Sequence, residues 1–225
     1  GSLVERADLE KQPAGSGGVA RRQDAAHAHW TGTSPDDRFA FVPDLGMDKV
    51  VIYKLDTQKG KLEPHGYGEC PAGGGPRHMK FHPNGKTIYV LNELALSVTV
   101  FDYDAKAGTM TAVQTIETLP EAVKAKEEFN SASEIRVHPS GRFVYSANRG
   151  NDTVTVYSVD ADSGKLTLVE VEPIRGAWPR NFNLDPTGKW LLAAGKNTNS
   201  ISIFGVDQDT GELQFTRNAV FVPQF

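Results

Sequence analysis

Cysteine is almost absent from this 225-residue chain, where Cys70 stands alone. One thiol excludes an intramolecular disulfide and a cysteine-built zinc site, and a reducing, cytoplasmic compartment is the expectation. No apolar run reaches the roughly 18 residues that a membrane-crossing helix needs. The first residues also lack the basic segment followed by an apolar one that marks a secretory leader. Charge of neither sign is gathered in blocks: 24 Lys and Arg stand against 28 Asp and Glu, a formal net of −4. That balance gives no electrostatic footprint for nucleic acid and no polybasic membrane patch. Methionine is missing at the start, Gly1-Ser2, as expected of an expression scar, a processed product or a fragment. What is present is an ordinary globular balance, 39% apolar and 23% charged, enough for a substantial core.

The informative feature is an internal repeat. Four tight-turn sequences follow short β-like runs: Ser34-Pro35-Asp36-Asp37, His82-Pro83-Asn84-Gly85, His138-Pro139-Ser140-Gly141 and Asp185-Pro186-Thr187-Gly188. In each, proline pre-sets φ and Asn, Asp, Ser, Thr or Gly completes the turn. A glycine, Gly60, Gly108, Gly164 or Gly211, stands 25 residues after each proline without variation. Apolar residues superimpose at 15, 17, 18 and 20 past the proline: Val50, Ile52, Tyr53, Leu55; Val98, Val100, Phe101, Tyr103; Val154, Val156, Tyr157, Val159; Ile201, Ile203, Phe204, Val206. The steps between prolines are 48, 56 and 47 residues, the long one carrying an insertion over 119–129 that reads as a surface excursion of one helical turn or two.

A period near 50 made of four short β-branched and aromatic runs predicts an all-β chain, a β-propeller with four-stranded antiparallel blades. The repeats fall at approximately 27–70, 71–129, 130–174 and 175–217 of a single domain spanning 1–225. In the third, the strands are expected at 133–138, 143–148, 153–159 and 166–171. A helical solenoid is excluded by the lack of a 3.6-residue period; a β-sandwich stays open, although its strands need not recur at a fixed offset. Residues 1–12 read as the outer strand of a preceding blade, 12–24 as a Gly-rich loop, and Ala219-Val220-Phe221-Val222 as a lone apolar run beyond the fourth repeat. About four and a half blades are therefore expected, either a small closed ring or part of a larger one.

In an antiparallel pair the beginning of the first strand and the end of the second emerge together, so one rim collects both. Six residues before the proline stand His29, Arg77, Ser133 and Arg180; at the next position Trp30, His78, Glu134 and Asn181; ten residues after it Leu45, Glu93, Arg149 and Lys196. Elsewhere equivalent positions repeat one apolar type, but here they diverge into different polar groups. Packing predicts sameness, so divergence points to a composite site to which each blade gives one group. His29 suits proton transfer at neutral pH, or is a histidine satisfied by local hydrogen bonds. With His27 it could share a strand face toward a metal, but no third ligand follows at motif spacing, and no cofactor is expected. Arg77 suits bidentate capture of carboxylate or phosphate, or bridges two blades. Glu93 and Arg149 could equally be an ion pair between blades. Glu134 and Arg136 share a strand face and read as structural, as do His82 and His138 beside their prolines. His65 and Cys70 carry no usable signal.

Five ordered motifs, Ala26-His27-Ala28-His29, Pro43-Asp44-Leu45-Gly46-Met47-Asp48, Pro76-Arg77-His78-Met79-Lys80-Phe81-His82-Pro83, Ser133-Glu134-Ile135-Arg136-Val137-His138-Pro139 and Ser146-Ala147-Asn148-Arg149-Gly150, resemble the lactonase family of seven-bladed propellers. That family includes bacterial propeller-type 6-phosphogluconolactonase and the fungal 3-carboxy-cis,cis-muconate lactonising enzyme. The resemblance runs from about Leu3 to Phe225 and implies that roughly the first third of a seven-bladed ring is not in this chain. It also implies a site of a histidine, two arginines and a glutamate, which by motif are His29, Arg77, Arg149 and Glu93. The expected activity is hydrolysis of a small anionic sugar lactone, 6-phosphogluconolactone first. Arg77 and Arg149 would hold the anion and the oxyanion, with Glu93 or His29 as general base. Muconate lactonisation on the same rim and a non-catalytic interaction scaffold are the alternatives. Arg77→Ala is expected to abolish turnover with little loss of fold.

Overall fold

In the computed structural model, which describes residues 8–125 and 129–222, the chain forms four antiparallel four-stranded sheets. The first holds β1 (Gly32–Thr33), β2 (Phe39–Asp44), β3 (Lys49–Asp56) and β4 (Lys61–Glu69), and the second β5 (Pro76–Phe81), β6 (Thr87–Asn92), β7 (Ser97–Asp104) and β8 (Thr109–Glu117). The third holds β9 (Ser131–Val137), β10 (Phe143–Arg149), β11 (Thr153–Val159) and β12 (Leu166–Pro173), and the fourth β13 (Pro179–Leu184), β14 (Trp190–Gly195), β15 (Ser200–Val206) and β16 (Leu213–Phe221). Strand ends in the third sheet differ from the sequence expectation by no more than two residues, the usual scatter of element boundaries. Spatial order equals sequence order in every sheet, so only hairpin turns are needed. The first strands β5, β9 and β13 lie against one another in succession, as blades do around an axis.

The pattern of apolar residues at 15, 17, 18 and 20 now has a physical cause. Alternate residues of a strand face opposite sides, and the second and third blades are covered on both. The pair at 15 and 17 meets the following blade, while the pair at 18 and 20 meets the preceding one. Thus Val50 and Ile52 share a core cluster with Phe101 and Tyr103, Val98 and Val100 with Tyr157, and Val154 and Val156 with Phe204 and Val206. Between positions 17 and 18 the register with the fourth strand shifts in the first three sheets, and between 16 and 18 in the fourth, a β-bulge that bends the blade. Fully burying each such Val, Ile or Phe contributes roughly 1.5–3 kcal/mol, so the joints between blades are the core.

The constant glycine is required twice over at these joints. Gly60, Gly108, Gly164 and Gly211 all have positive φ, between 62° and 80°, where a side chain is strained. A Cβ on Gly108 would also stand 2.3 Å from Phe39 of the preceding blade, and one on Gly211 2.5 Å from Phe143. Polar latches repeat as well. The Tyr89 and Tyr145 hydroxyls donate to the carbonyls of Gly164 and Gly211 at 3.0 and 2.9 Å. His82 and His138 donate through Nε2 to the Gly141 and Gly188 carbonyls at 2.9 and 3.0 Å. The two turn histidines are therefore structural. On the fourth blade the equivalent positions hold Asp185 and Leu192, and Trp190 and Leu192 are 46% and 39% exposed.

The flanking segments differ from expectation. Residues 1–7 lie outside the described residues, and 8–12 form no strand. They lie along the first blade instead, with Asp8 accepting from the Leu62 amide at 2.9 Å and the Gln12 amide donating to the Tyr53 hydroxyl. Ala219, Val220 and Phe221 pair with Ser202, Ile201 and Ser200, so the run is the outer strand of the fourth blade. Strong in-register pairing with β15 accounts for it without a further blade. The insertion forms one helical turn, α1 (Glu121–Lys124).

Candidate active site at the blade rim

The rim positions owe their directions to two local devices. At the start of β5 the register steps from Pro76↔Asn92 to His78↔Leu91, leaving Arg77 as an unpaired bulge residue. Arg180 is bulged in the same way in β13. A bulge re-aims its side chain out of the strict alternation, which is why Arg77 and His78 both reach the rim. At the end of the second strand a buried asparagine ties the next hairpin: Asn92 Nδ2 donates to Ser97 Oγ and Thr99 Oγ1 at 3.0 and 2.9 Å, and Asn148 Nδ2 to Thr153 Oγ1 and Thr155 Oγ1 at 3.1 and 3.0 Å. The residue that follows each, Glu93 or Arg149, is thereby fixed on the rim. Removing this clamp in Asn92→Ala takes the shared donor from two buried hydroxyls, and a loss of about 1–3 kcal/mol is expected in urea denaturation; an unchanged midpoint would show that the clamp holds nothing.

His29, Arg77, Glu93 and Arg149 all line one pocket of about 290 Å³, together with Arg22, Leu45, Phe129 and Arg180. Larger cavities of about 710 and 630 Å³ lie at the outer turns between blades and gather no comparable chemistry. At the centre of the rim pocket Glu93, 5% exposed, is held by three guanidinium groups. Its Oε2 accepts from Arg77 Nε at 2.7 Å, and its Oε1 from Arg22 Nη2 at 2.6 Å and Arg149 Nη2 at 3.1 Å. Burial alone would raise its pKa, but Arg149, then Arg22 and Arg77, more than offset that and hold it below the ordinary carboxylate range. Burial draws Arg77 down to about 10, so it stays cationic at neutral pH.

Arg77 is also fixed from behind. Its Nη1 donates to His78 Nε2 at 3.0 Å and to the Ser133 carbonyl. Since arginine only donates, His78 Nε2 accepts, and the imidazole proton sits on Nδ1, which donates to Glu134 Oε1 at 2.9 Å. Burial lowers the His78 pKa, consistent with this neutral tautomer. Glu134 Oε1 also accepts from Arg136 at 3.3 Å and Oε2 from Asn181 at 2.7 Å, so the structural reading of Glu134 and Arg136 holds. Arg149 donates to the Ala132 carbonyl at 2.9 Å and lies over the Trp178 ring, which stacks with Phe129.

His29 is different. Its ring edges onto His78 with centroids 5.3 Å apart, yet neither ring nitrogen is hydrogen-bonded to another of the described residues. The surrounding protein, then the charge of Arg77, holds its pKa down to about 4. At neutral pH it is an unprotonated, uncommitted imidazole open to the pocket. His27 lies off this pocket, and no three His, Cys, Asp or Glu side chains among the described residues gather as a metal site would require.

Two expectations change. Arg77 is 3% exposed and tied to Glu93, His78 and Ser133, so Arg77→Ala costs stability, because it leaves buried partners unpaired. Sequence reasoning also missed Arg22, which belongs to no repeat. The Gly-rich loop over 12–24 delivers it, and Asp48 anchors that loop: Asp48 accepts from Gln23 Nε2 at 2.5 Å, Ser16 Oγ at 2.9 Å and the Gly73 and Gly75 amides at 2.9 Å each. Only the glycines and the Arg21-Arg22 pair hinted at a structured loop.

Comparison with known proteins shows what the chain is similar to. The chain is 38% identical to the 6-phosphogluconolactonase of Bacillus subtilis over 168 residues, 75% of this chain and 47% of that protein. It is 37% identical to the 6-phosphogluconolactonase of Pectobacterium carotovorum over 159 residues, 70% of this chain and 46% of that one. It superimposes on the periplasmic gluconolactonase of Pseudomonas aeruginosa with a TM-score of 0.85 at 30% identity, covering 94% of this chain and 58% of that one. The chain thus spans about half the length of the curated relatives it matches. The family described as lactonase, 7-bladed beta-propeller, matches over residues 1–225, and with four blades and the rim constellation in place the chain belongs to that family.

Proposed function

We propose that the rim pocket hydrolyses a sugar lactone, with 6-phosphogluconolactone as the leading substrate. The observation that carries this reading is the pairing of an unprotonated, unpartnered His29 with guanidinium donors that the protein leaves free. Arg77 spends Nε and Nη1 on protein partners, and Arg149 spends Nη2. Two N–H groups on Arg77 Nη2 and two on Arg149 Nη1 are left for a ligand. Donors preset around a carbonyl stabilise the charge that develops on it.

Glu93 is a poor base, since both oxygens are occupied by cations and its pKa is lowered. Its task is to hold three arginines together. His29 takes a proton as water attacks the lactone carbonyl, and the oxyanion rests on Arg77 and Arg149. Collapse breaks the bond between carbonyl carbon and ring oxygen, and the imidazolium returns its proton to that oxygen. The carboxylic acid then ionises to solvent. The names of the relatives support hydrolysis over muconate cycloisomerisation, and the free donors support chemistry over a passive scaffold.

The test is lactone hydrolysis followed against pH. The acid limb of kcat/KM reports the free enzyme, so the rate should stay level through neutrality and fall with a midpoint near the His29 value of about 4. A midpoint near the ordinary histidine value of 6.5 would show that His29 is not the neutral base described here, and absence of any lactone turnover would remove the reading.

A further inference from the structure

The fourth blade carries a charge arrangement that the rim chemistry above does not use. In the second blade the residues six before and ten after the proline, Arg77 and Glu93, form an ion pair of 2.7 Å. The same two positions of the fourth blade hold Arg180 and Lys196, a second cation where the carboxylate stood. Both are exposed, and neither has an acidic partner among the described residues. Glu134, bonded to the neighbouring Asn181, is already committed to His78 and Arg136 as well, and Glu93 to Arg22, Arg77 and Arg149. Arg180 is aimed by a bulge like that of Arg77, and its charge is felt at Arg77 and Arg149.

Arg180 belongs to two spaces at once. It lines the 290 Å³ rim pocket and also an adjoining cavity of about 350 Å³ bounded by Asn181, Ala194 and Lys196. Asn181 spends its amide nitrogen on Glu134, which leaves its carbonyl oxygen to accept a hydroxyl. Two like charges at adjacent rim positions repel unless an anion lies between them, and two cations match a phosphomonoester, which carries nearly two negative charges at neutral pH. A phosphorylated sugar δ-lactone bears its reacting carbonyl and its phosphoryl arm on the two carbons that flank the ring oxygen. Neighbouring positions for an oxyanion and for a phosphoryl group are what such a molecule requires.

We infer that Arg180 and Lys196 form a second anion subsite that takes the phosphoryl group of a sugar phosphate, separate from the oxyanion position at Arg77 and Arg149. This rests on the lactonase reading for the orientation of the ligand, and the subsite can be measured without turnover. The experiment is calorimetric titration of the full chain, wild type and Arg180→Gln/Lys196→Gln, with 6-phosphogluconate, gluconate and inorganic phosphate, alongside a lactone hydrolysis assay of the wild type. Both replaced side chains are exposed, so folding is expected to survive, and the melting temperature checks it.

The wild type is expected to prefer 6-phosphogluconate over gluconate, and that preference should shrink by about 10- to 100-fold in the double variant, the size of two charge-assisted contacts. Equal loss for both ligands would mean a diffuse field only and would overturn the subsite, as would no loss at all. Inorganic phosphate binding as tightly as 6-phosphogluconate, with the same dependence, would replace the sugar phosphate by a free ion and end the assignment. A wild type that turns over no lactone yet shows the loss of preference would sink the lactonase reading and keep the subsite. Turnover with an undiminished preference would do the reverse.

Discussion

Replacing His29 with alanine is expected to lower kcat for lactone hydrolysis by about 10²–10⁴-fold, the usual contribution of a positioned general base, with the melting temperature nearly unchanged. The second half of that expectation follows from the structure. The imidazole is exposed and makes no side-chain hydrogen bond among the described residues, and the bond that holds this segment to the first blade runs from the His29 backbone amide to the Pro43 carbonyl at 3.0 Å. Alanine keeps that bond. An exposed side chain with no partner contributes within about 0.5 kcal/mol to stability, so lost rate cannot be blamed on lost fold. Single-turnover kinetics with a thermal melt on the same sample checks both halves; retained turnover would take His29 out of the reaction.

Glu93→Gln is expected to do the opposite and damage the fold first. The side chain is isosteric, but the carboxylate that binds Arg22, Arg77 and Arg149 at 2.6, 2.7 and 3.1 Å is gone. Two of those arginines are at least as buried as Glu93 itself, with side chains 3% and 6% exposed. Uncovering a buried charge costs about 3–5 kcal/mol, which in a domain of this size shifts the midpoint on the order of 10 °C. Arg22 is 38% exposed, so Arg22→Ala should cost no more than about 1 kcal/mol. Because the folded-state pKa of Glu93 is lowered, its contribution is complete above the ordinary carboxylate pKa and fades as pH falls below it. The wild type and the variant should therefore converge in stability in acid. A gap that persists unchanged to low pH would show that ionisation of Glu93 is not what holds the cluster.

The blades were readable in the sequence because the three joints between them impose the same demands in turn. The glycine 25 residues past the proline must adopt positive φ and must let a Phe or Thr of the preceding blade approach. Those are chemical constraints that only one residue type meets. The apolar set at 15, 17, 18 and 20 follows from burial on both faces. The rim was readable for the converse reason, since positions freed from packing could diverge, and the four residues singled out do line one pocket. What stayed hidden had no repeat to betray it. Arg22 reaches Glu93 from a loop whose course depends on Asp48, 26 residues downstream, and the bulges at Arg77 and Arg180 leave no mark in composition. The choice between Glu93 and His29 as base was likewise out of reach, because it turns on which group is enclosed by cations.

The tyrosine and histidine latches give the array a polarity. At the two joints that carry them, hydroxyl and imidazole donors stand on one side and glycine carbonyls on the other, which favours adding units head to tail. Two copies meeting by the same face would oppose donor to donor or acceptor to acceptor. Past the fourth blade, Asp185 and Leu192 bring neither kind of donor, and a neighbour seated on Trp190 would have to be recognised through apolar contact instead.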